Sequence, residues 1–388
     1  MSKKNVPDYA ASMESGAGMA AKQPKKKKKG GGLLGRIIRR FFLLLFTVII
    51  LVVAALCLAA NLVFNGPSPA ARSVLTMTLL EPSATKWIPA LFIGEDGVNA
   101  ILDSANGAGL TDDISSTSQV VIKKVGAITS EDHEWDNYPD GIRIESYAGD
   151  TYNAHIMIIR DPSLVYMATS TDSFSTSTPG KRINQAIADE GAVAAINAGA
   201  FNDDGTASSY VGSCPLGLVM SKGNCVWTSG KQPGLEGFAG FNTDNILVVS
   251  KTNLTKAQAE ELNIRDGCCF GPVLIMNGEV NMEAYAVSGW NPRTAIGQRA
   301  DGAVIFVCID GRQAGSIGGT YADVINIMVE YGAVNACNMD GGSSSVMMYL
   351  DSYGLYGEAG QYQMINNYSL LQSQPRRMPN FWMVRPAA

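Results

Sequence analysis

Two aspartates stand where apolar segments run into glycine turns, and these residues have the clearest potential for chemistry. Asp310 follows the apolar segment 303–309, Asp340 follows 333–339, and a glycine comes directly after each aspartate. A carboxylate at the end of a buried strand has a fixed main chain and an accessible side chain, which suits binding or catalysis. A single Asp-Gly is commonly only a turn. Two of them at equivalent strand ends favour a functional site.

The segments around the aspartates predict that both carboxylates reach one edge of a sheet. Segment 303–309 is continuously apolar, as in a strand that is covered on both faces, and segment 333–339 is mostly apolar. Between them, residues 320–331 have apolar side chains at helical spacing, and Gly332 ends the pattern. Strand, crossover helix and strand would form a βαβ-like unit, so both strand ends would lie at the same edge.

Two arginines beside Gly- or Pro-containing turns, Arg293 and Arg312, are candidates to bind an anion. A guanidinium binds phosphate in a bidentate geometry. The alternative for Arg293 is a salt bridge that braces its own loop, because bidentate arginine serves both uses.

Histidine is scarce, since the sequence contains only His133 and His155. A histidine-ligated zinc site or a Ser-His-Asp triad is therefore not expected, and acid–base chemistry falls to carboxylates. His155 lies in the apolar segment HIMII, which is typical of a hydrogen-bonded core residue. No metal or other cofactor is predicted.

Several ordered motifs resemble the phosphodiester glycosidase family, whose bacterial members are often labelled exopolysaccharide-biosynthesis proteins. The motifs are NPRTAIG at 291–297, DGR at 310–312, GSIGGT at 315–320 and NMDGGSS at 338–344, with INAGAF at 196–201, CPLG at 214–217 and GP at 271–272 upstream. They cover about residues 141–386, and together they are far more specific than any one motif. One departure is Ser343, which stands where relatives often have a third glycine after the aspartate.

The resemblance implies a hydrolase that cleaves the glycosidic bond of a sugar-1-phosphodiester in a surface polysaccharide or glycolipid. It implies Asp310 and Asp340 as the catalytic carboxylates and leaves the role of each open. The residues implied in phosphate or substrate binding are Arg293, Arg312, Asn197, Ser343, Gly341 and Gly342. The alternative is a non-catalytic module that binds polysaccharide or cell wall, and such a module would tolerate loss of either aspartate. The sequence identifies neither the sugar nor the oligomeric state.

The charge distribution separates the N-terminal region from the rest of the chain. Residues 1–64 contain 11 lysines and arginines against 2 acidic residues, whereas the remainder contains 19 basic and 33 acidic residues. A domain with this net charge of −14 is not expected to bind nucleic acid, because phosphate contacts require a basic surface.

Residues 41–60 carry no charge and are long enough to cross a bilayer. Every strong basic cluster precedes them. The positive-inside rule then predicts a cell-membrane protein with a cytoplasmic N-terminus and an extracellular C-terminal domain. The alternative is a cleaved signal peptide.

Four regions are predicted along the chain. They are a disordered basic cytoplasmic tail at 1–32, a transmembrane anchor at 33–64, an extracytoplasmic stalk at 65–138 and a phosphodiester glycosidase-like domain at 139–388. Predicted strands outnumber helices in the last region, so the predicted fold class is α+β, with a large mixed sheet and packed helices after one transmembrane helix. A glycan or glycolipid and the membrane are the expected partners.

Six cysteines follow the predicted anchor and would lie in an oxidising compartment. Cys214 and Cys225 bracket two predicted strands with a glycine at their turn, so a disulfide between them is expected. The pairing of the other four cysteines, Cys268, Cys269, Cys308 and Cys337, is left open. Of these, Cys308 and Cys337 have the character of small buried hydrophobic residues.

Overall fold

Antiparallel pairing joins the strands of this computed structural model, which describes residues 33–80, 85–105, 109–122, 133–202, 211–229, 236–368 and 374–387. The helices are α1 (Leu33–Phe64), α2 (Pro69–Leu80), α3 (Ile88–Ala105), α4 (Ile183–Glu190), α5 (Lys256–Glu261), α6 (Met282–Ala286) and α7 (Tyr321–Glu330). The strands are β1 (Ile142–Ala148), β2 (Asn153–Ile159), β3 (Val165–Thr169), β4 (Ala194–Asn197), β5 (Leu218–Ser221), β6 (Asn224–Thr228), β7 (Phe238–Asn242), β8 (Leu247–Ser250), β9 (Ile264–Cys269), β10 (Val273–Met276), β11 (Glu279–Val280), β12 (Arg293–Arg299), β13 (Val304–Ile309), β14 (Ala333–Met339), β15 (Met347–Asp351), β16 (Gln361–Met364) and β17 (Asn380–Val384).

The described strands form three sheets. A seven-stranded sheet has the order β1-β2-β13-β12-β14-β10-β11. Two five-stranded sheets have the orders β16-β15-β4-β17-β3 and β6-β5-β9-β7-β8. The predicted α+β fold class is confirmed, and the described strand pairs in these sheets are antiparallel.

The centre of the seven-stranded sheet brings the candidate strand ends to one edge. β12 lies between β13 and β14 and pairs antiparallel with both, so β13 and β14 run in the same direction. The predicted strand, helix and strand unit is present as β13, α7 and β14, with β12 inserted between its two strands. Asp310 and Asp340 therefore follow strands that end at the same edge.

Both faces of this sheet are buried. Ile296 on β12 belongs to a core cluster that also includes Ile196 of β4 and Val219 of β5, so the two smaller sheets contribute to one face. Its neighbour Ala295 belongs to a second cluster with Val324 of α7, so helices cover the other face. Burial on both faces explains why β13 is apolar along its whole length.

One described helix segment, Gly35–Phe64 within α1, is long and apolar enough to cross a membrane. The N-terminal apolar helix is therefore confirmed. Its length and position fit a membrane anchor or a signal sequence. The predicted tail at 1–32 lies outside the described residues.

The described part of 65–138 packs onto the strands that follow it. Met77 of α2 is 2% exposed and belongs to the cluster on the helical face of the large sheet. Ser115 N donates a hydrogen bond to Val249 O of β8 at 2.9 Å. Residues 59–388 form one compact unit. The boundary at residue 138, predicted as the end of a stalk, is not marked by a break in this packing.

The structure does not contain the predicted disulfide, because Cys214 and Cys225 are both free thiols. The register of the β5–β6 hairpin places Met220, not Cys214, opposite Cys225. Cys214 lies beside the loop after β4, where its carbonyl oxygen accepts a hydrogen bond from Asn202 N at 3.0 Å. The two cysteines bracket the hairpin in sequence but have different neighbours in space.

Candidate functional site

Four strand ends meet at the candidate site. Arg293 begins β12, and Asn197 ends β4 in the neighbouring sheet. The Thr294 hydroxyl, one residue into β12, donates to Asn197 Oδ1 at 2.8 Å. This bond ties the edge that carries Asp310 and Asp340 to the end of β4.

Asn197 is fully buried and uses its amide within the protein. Its Nδ2 donates to the carbonyl oxygen of Asp340 at 2.6 Å, and its Oδ1 also accepts from Val346 N at 3.1 Å. The main chain of Asp340 is held a second time, because its N donates to Ala198 O at 3.0 Å. Asn197 therefore fixes the loop after β14 and does not present its amide to a sugar in this arrangement.

The side chain of Asp340 is half-buried, unlike that of Asp310. It lies close enough to Tyr368 for its charge to contribute to a raised pKa of that phenol. Burial is the largest cause of the increase, and the backbone N–H and the charge of Arg376 oppose it. The phenol is thus protonated at neutral pH, beside a carboxylate that is partly open to solvent.

Asp310 is 2% exposed, and both of its carboxylate oxygens are engaged. Asn367 donates to Oδ1 from its backbone N at 2.9 Å and to Oδ2 from Nδ2 at 2.7 Å. His155 Nε2 lies 3.1 Å from the same Oδ2. A substrate reaches this carboxylate only if the segment that carries Asn367 moves away.

Arg293 is 1% exposed and contacts backbone carbonyl groups. Its Nε donates to Gly319 O at 3.1 Å, and its Nη2 donates to Gly289 O at 2.7 Å. The guanidinium also lies over the ring of Tyr321, with Cζ 4.2 Å from the ring centroid. These contacts brace the loops on either side of the site and keep the guanidinium away from solvent.

Arg312 is exposed and reaches the loop that follows Asp340. Its Nη2 donates to Asn291 Oδ1 at 3.2 Å. A Cβ on Gly342 would lie only 3.1 Å from the same nitrogen, so the guanidinium lies directly against this glycine. Gly342 also has a φ of +61°, a conformation that favours glycine.

Arg376 contacts the next residue of that loop. Its Nη1 donates to Ser343 Oγ at 3.1 Å, and its Cζ lies 4.6 Å from the centroid of the Phe201 ring. Tyr368 joins the same group, because its hydroxyl donates to Ser343 O at 2.5 Å and accepts from Arg376 N at 3.2 Å. Arg312 and Arg376 therefore contact the consecutive residues Gly342 and Ser343.

Sequence reasoning missed Arg376, Tyr368 and Asn367, which lie far along the chain from the glycine motifs. The one signal was a pair of adjacent arginines, Arg376 and Arg377, between prolines in an otherwise acidic domain. The proximity of this pair to Ser343 follows from the placement of β17 beside β4. A single sequence does not reveal that pairing.

The arrangement combines two guanidinium groups, one half-buried carboxylate and one protonated phenol around a glycine-rich loop. Two guanidiniums that contact neighbouring residues of one loop suit an anion with several oxygens. Among the described residues, no group of three or more His, Cys, Asp or Glu side chains is placed to hold a metal ion. What the site offers is anion binding next to one carboxylate.

Comparison with known proteins supplies a family. The family model described as phosphodiester glycosidase matches residues 190–385. An uncharacterised SPbeta prophage-derived protein of Bacillus subtilis, YomE, is 25% identical over 181 residues, which are 45% of this chain and 27% of that protein. The chain therefore spans about a quarter of the length of this curated relative.

A solved structure has a similar fold. The catalytic domain of zebrafish N-acetylglucosamine-1-phosphodiester alpha-N-acetylglucosaminidase, auto-inhibited by its pro-peptide, aligns with a TM-score of 0.53 and 19% identity over 74% of this chain and 93% of that one. A hypothetical protein from Synechocystis aligns with a TM-score of 0.39 and 17% identity over 63% of this chain and 61% of that one. The family match covers half of the sequence and includes Asn197, Arg293, Asp310, Arg312, Asp340, Ser343 and Arg376. The chain belongs to the phosphodiester glycosidase family.

Proposed function

We propose that the protein is a membrane-anchored extracytoplasmic hydrolase that cleaves the glycosidic bond of a sugar-1-phosphodiester in a surface polysaccharide or glycolipid. Membership of the phosphodiester glycosidase family supports hydrolysis of this type of bond. The bond broken would be the one between the anomeric carbon and the phosphate oxygen. The sugar and the alcohol on the other side of the phosphate stay open.

The observation that carries the proposal is the contact of two arginines with consecutive residues of one loop. Arg312 lies against Gly342, and Arg376 donates to Ser343 Oγ at 3.1 Å. A planar guanidinium matches phosphate oxygens, and two of them can bind a diester and its departing monoester. We assign phosphate binding to these two arginines. For Arg293 we propose a bracing role, in keeping with its buried contacts to Gly289 and Gly319.

Asp340 is our candidate for the reacting carboxylate. In a single displacement it would accept a proton from water as the water oxygen bonds to the anomeric carbon. The bond from that carbon to the phosphate oxygen breaks, and the electron pair leaves with the phosphate as a monoester. The arginines stabilise the charge that develops there, so a strong general acid is not required.

A different role follows for Asp310, which accepts hydrogen bonds from both donors of Asn367. We propose that it holds the segment leading to Tyr368, and with it the hydroxyl that contacts Ser343. Such a carboxylate supports the site without touching the substrate.

The location rests on α1 and on the charges before it. Lysines and arginines precede the apolar helix, which favours a cytoplasmic N-terminus and an extracellular domain. The competing arrangement is a cleaved signal sequence, which would also deliver the domain outside but release it from the membrane.

A second candidate function is a non-catalytic module that binds phosphorylated glycans. The burial of Asp310 favours the binding module. Glycosidases ordinarily use two carboxylates, and of these two aspartates Asp340 alone is partly exposed to solvent. A binding module would retain phosphate affinity and release no sugar.

The test uses the full chain in detergent with a panel of sugar-1-phosphodiesters. Each substrate is paired with a simple alkyl glycoside of the same sugar, which lacks the phosphate. Release of free sugar from a phosphodiester, abolished in Asp340→Asn, supports the hydrolase. Binding of the diesters without release of sugar supports the binding module instead.

A further inference from the structure

Helix α2 contacts the segment that leads into β12. Trp290 N donates to the side-chain hydroxyl of Thr78 at 3.1 Å. Asn291 Nδ2 donates to the carbonyl oxygen of Met77 at 3.3 Å. Two consecutive residues of one segment are therefore held by two consecutive residues at the C-terminal part of α2.

This contact is close and partly buried. A Cβ on Gly289 would lie 2.2 Å from Thr78 N, so the absence of a side chain at residue 289 allows the approach. Met77 is 2% exposed and packs into the core beneath the segment. On its other side, Gly289 O accepts from Arg293 Nη2 at 2.7 Å. The segment is thus held between α2 and the sheet.

The same segment reaches the candidate phosphate site. The Oδ1 of Asn291 accepts from Arg312 Nη2 at 3.2 Å, while its Nδ2 is the group bonded to α2. Main-chain hydrogen bonds of Asn291 with Gly319 complete its fixation. One amide side chain thus connects the helix to the guanidinium that lies against Gly342.

We propose that α2 is a positioning element of the site, and that Thr78 acts through Trp290 and Asn291 to hold the guanidinium of Arg312 over the loop after Asp340. The catalytic consequence rests on the proposed function, whereas the positioning itself does not. Orientation of a binding group within an ångström or less affects rate strongly, so a contact remote from the reacting atoms can still alter turnover. Thr78 would be a positioning residue and would not touch the substrate.

The chain offers a matched pair of variants on one helix. Thr78→Val keeps the shape of the side chain and removes the acceptor for Trp290 N. Thr76→Val is the same substitution one half-turn earlier, at a fully buried hydroxyl that has no hydrogen-bond partner among the described residues. Loss of a buried, unpaired hydroxyl should leave stability unchanged or raise it, and Thr76→Val removes no hydrogen bond to the segment at 289–291.

Three measurements are made on the full chain in detergent: thermal melting, hydrogen exchange of the backbone amides at 289–291 and 310–319, and hydrolysis with inhibition by inorganic phosphate. Thr78→Val should exchange faster in both segments and should lower kcat/KM about fivefold, mainly through KM, as expected from loss of one hydrogen bond. Its inhibition constant for phosphate should rise by a similar factor. Thr76→Val should match the wild-type protein in exchange and in hydrolysis, and should melt at the same or a higher temperature.

Equal hydrogen exchange and equal kinetics in the two variants would overturn the proposal. An increase in the activity of Thr78→Val would also overturn it, because α2 would then restrain the site. If the wild-type chain hydrolyses none of the diesters, the proposed function fails while the positioning is still decided by exchange. In that case, faster hydrogen exchange at 310–319 in Thr78→Val but not in Thr76→Val would support the positioning role of Thr78, and unchanged exchange would reject this role.

Discussion

Asn367 donates to both carboxylate oxygens of Asp310, once from its backbone and once from its side chain, at 2.9 and 2.7 Å. His155 Nε2 approaches one of these oxygens at 3.1 Å. A carboxylate surrounded by donors in a buried position contributes mainly to the fold. Asp310 and Asp340 follow equivalent strands in the sequence, but they differ in the burial of their carboxylates.

Asp310→Asn should destabilise the protein, because it turns one acceptor oxygen into an NH₂ group that faces existing donors. We expect a loss of about 2–4 kcal/mol in the free energy of unfolding, the range for a buried charged acceptor that loses its partners. Denaturant unfolding measures it. Asp189→Asn is the control, since Asp189 is 56% exposed in its ion pair with Lys181 and should change little. Equal effects in both variants would contradict a bracing role for Asp310.

Asp340→Asn should leave stability nearly unchanged and reduce turnover. The main chain of Asp340 is held by hydrogen bonds with Asn197 and Ala198, and these bonds do not involve the substituted group. If the carboxylate accepts a proton from water, its loss should lower kcat by about 10²-fold or more. Sugar release and thermal melting are measured on the same sample. Near-normal turnover with an unchanged melt would remove Asp340 from the chemistry.

Arg312→Lys and Arg376→Lys should each weaken phosphate binding, because a lysine keeps the charge but loses the planar, bidentate donor geometry. We expect KM for a phosphodiester to rise about tenfold in each variant. Arg377→Lys is the neighbouring control, since Arg377 Nη1 donates to Gly180 O at 2.9 Å. The readouts are KM and the inhibition constant of inorganic phosphate. If all three variants behave alike, Arg312 and Arg376 have no special part in anion binding.

Cys214 and Cys225 should both be alkylated by iodoacetamide in protein purified without reductant, since the structure has them as free thiols. Burial raises the pKa of the Cys225 thiol above its ordinary value of 9.0, so less of the reactive thiolate is present at neutral pH. Its alkylation should therefore be slower than that of glutathione, and should accelerate as pH rises beyond the usual thiol range. Peptide mapping between about pH 7 and 10 tests this. A linked Cys214–Cys225 peptide would show that the thiols pair after all.

A tag at residue 1 should survive protease treatment of intact cells while the C-terminal domain is removed. The reason is the excess of lysine and arginine before the apolar helix. Immunoblots of the tag and of the domain, before and after the cells are opened, measure the orientation. Loss of the tag with the membrane sealed would reverse it, and absence of the tag from the mature protein would favour a cleaved signal sequence.

The local pattern of the sequence predicted the two strands that lead to Asp310 and Asp340 well, because each is mostly apolar and ends at a glycine turn. The strand predicted at 333–339 is β14 residue for residue, and α7 begins after Thr320, whose side chain caps its first turn. The Asn277-Gly278 dipeptide, a sequence typical of two-residue hairpins, joins β10 to β11 with φ of +53° and +80° at these residues. Such features are set by neighbours in sequence.

Pairing between distant segments was outside what the sequence could predict. The insertion of β12 between β13 and β14 depends on packing of both sheet faces and leaves no local signature. The same holds for Arg376, which reaches Ser343 only because of how β17 is placed. The enclosure of Asp310 depends on Asn367, more than fifty residues further along the chain. Equivalent motifs thus gave no sign that one aspartate is enclosed and the other is half-open.

The position of Arg376 just before β17 also sets when the site can exist. β17 pairs with β3 on one side and with β4 on the other. The five-stranded sheet that contains these strands is therefore complete only after β17 has been synthesised and has paired with strands that lie roughly two hundred residues earlier in the chain. Contacts of such long sequence separation form slowly. In a chain that is still being synthesised, or in one that crosses a membrane in extended form, Arg376 is therefore not yet in place beside Ser343. The proposed hydrolysis of a sugar phosphodiester therefore requires the completed and folded chain.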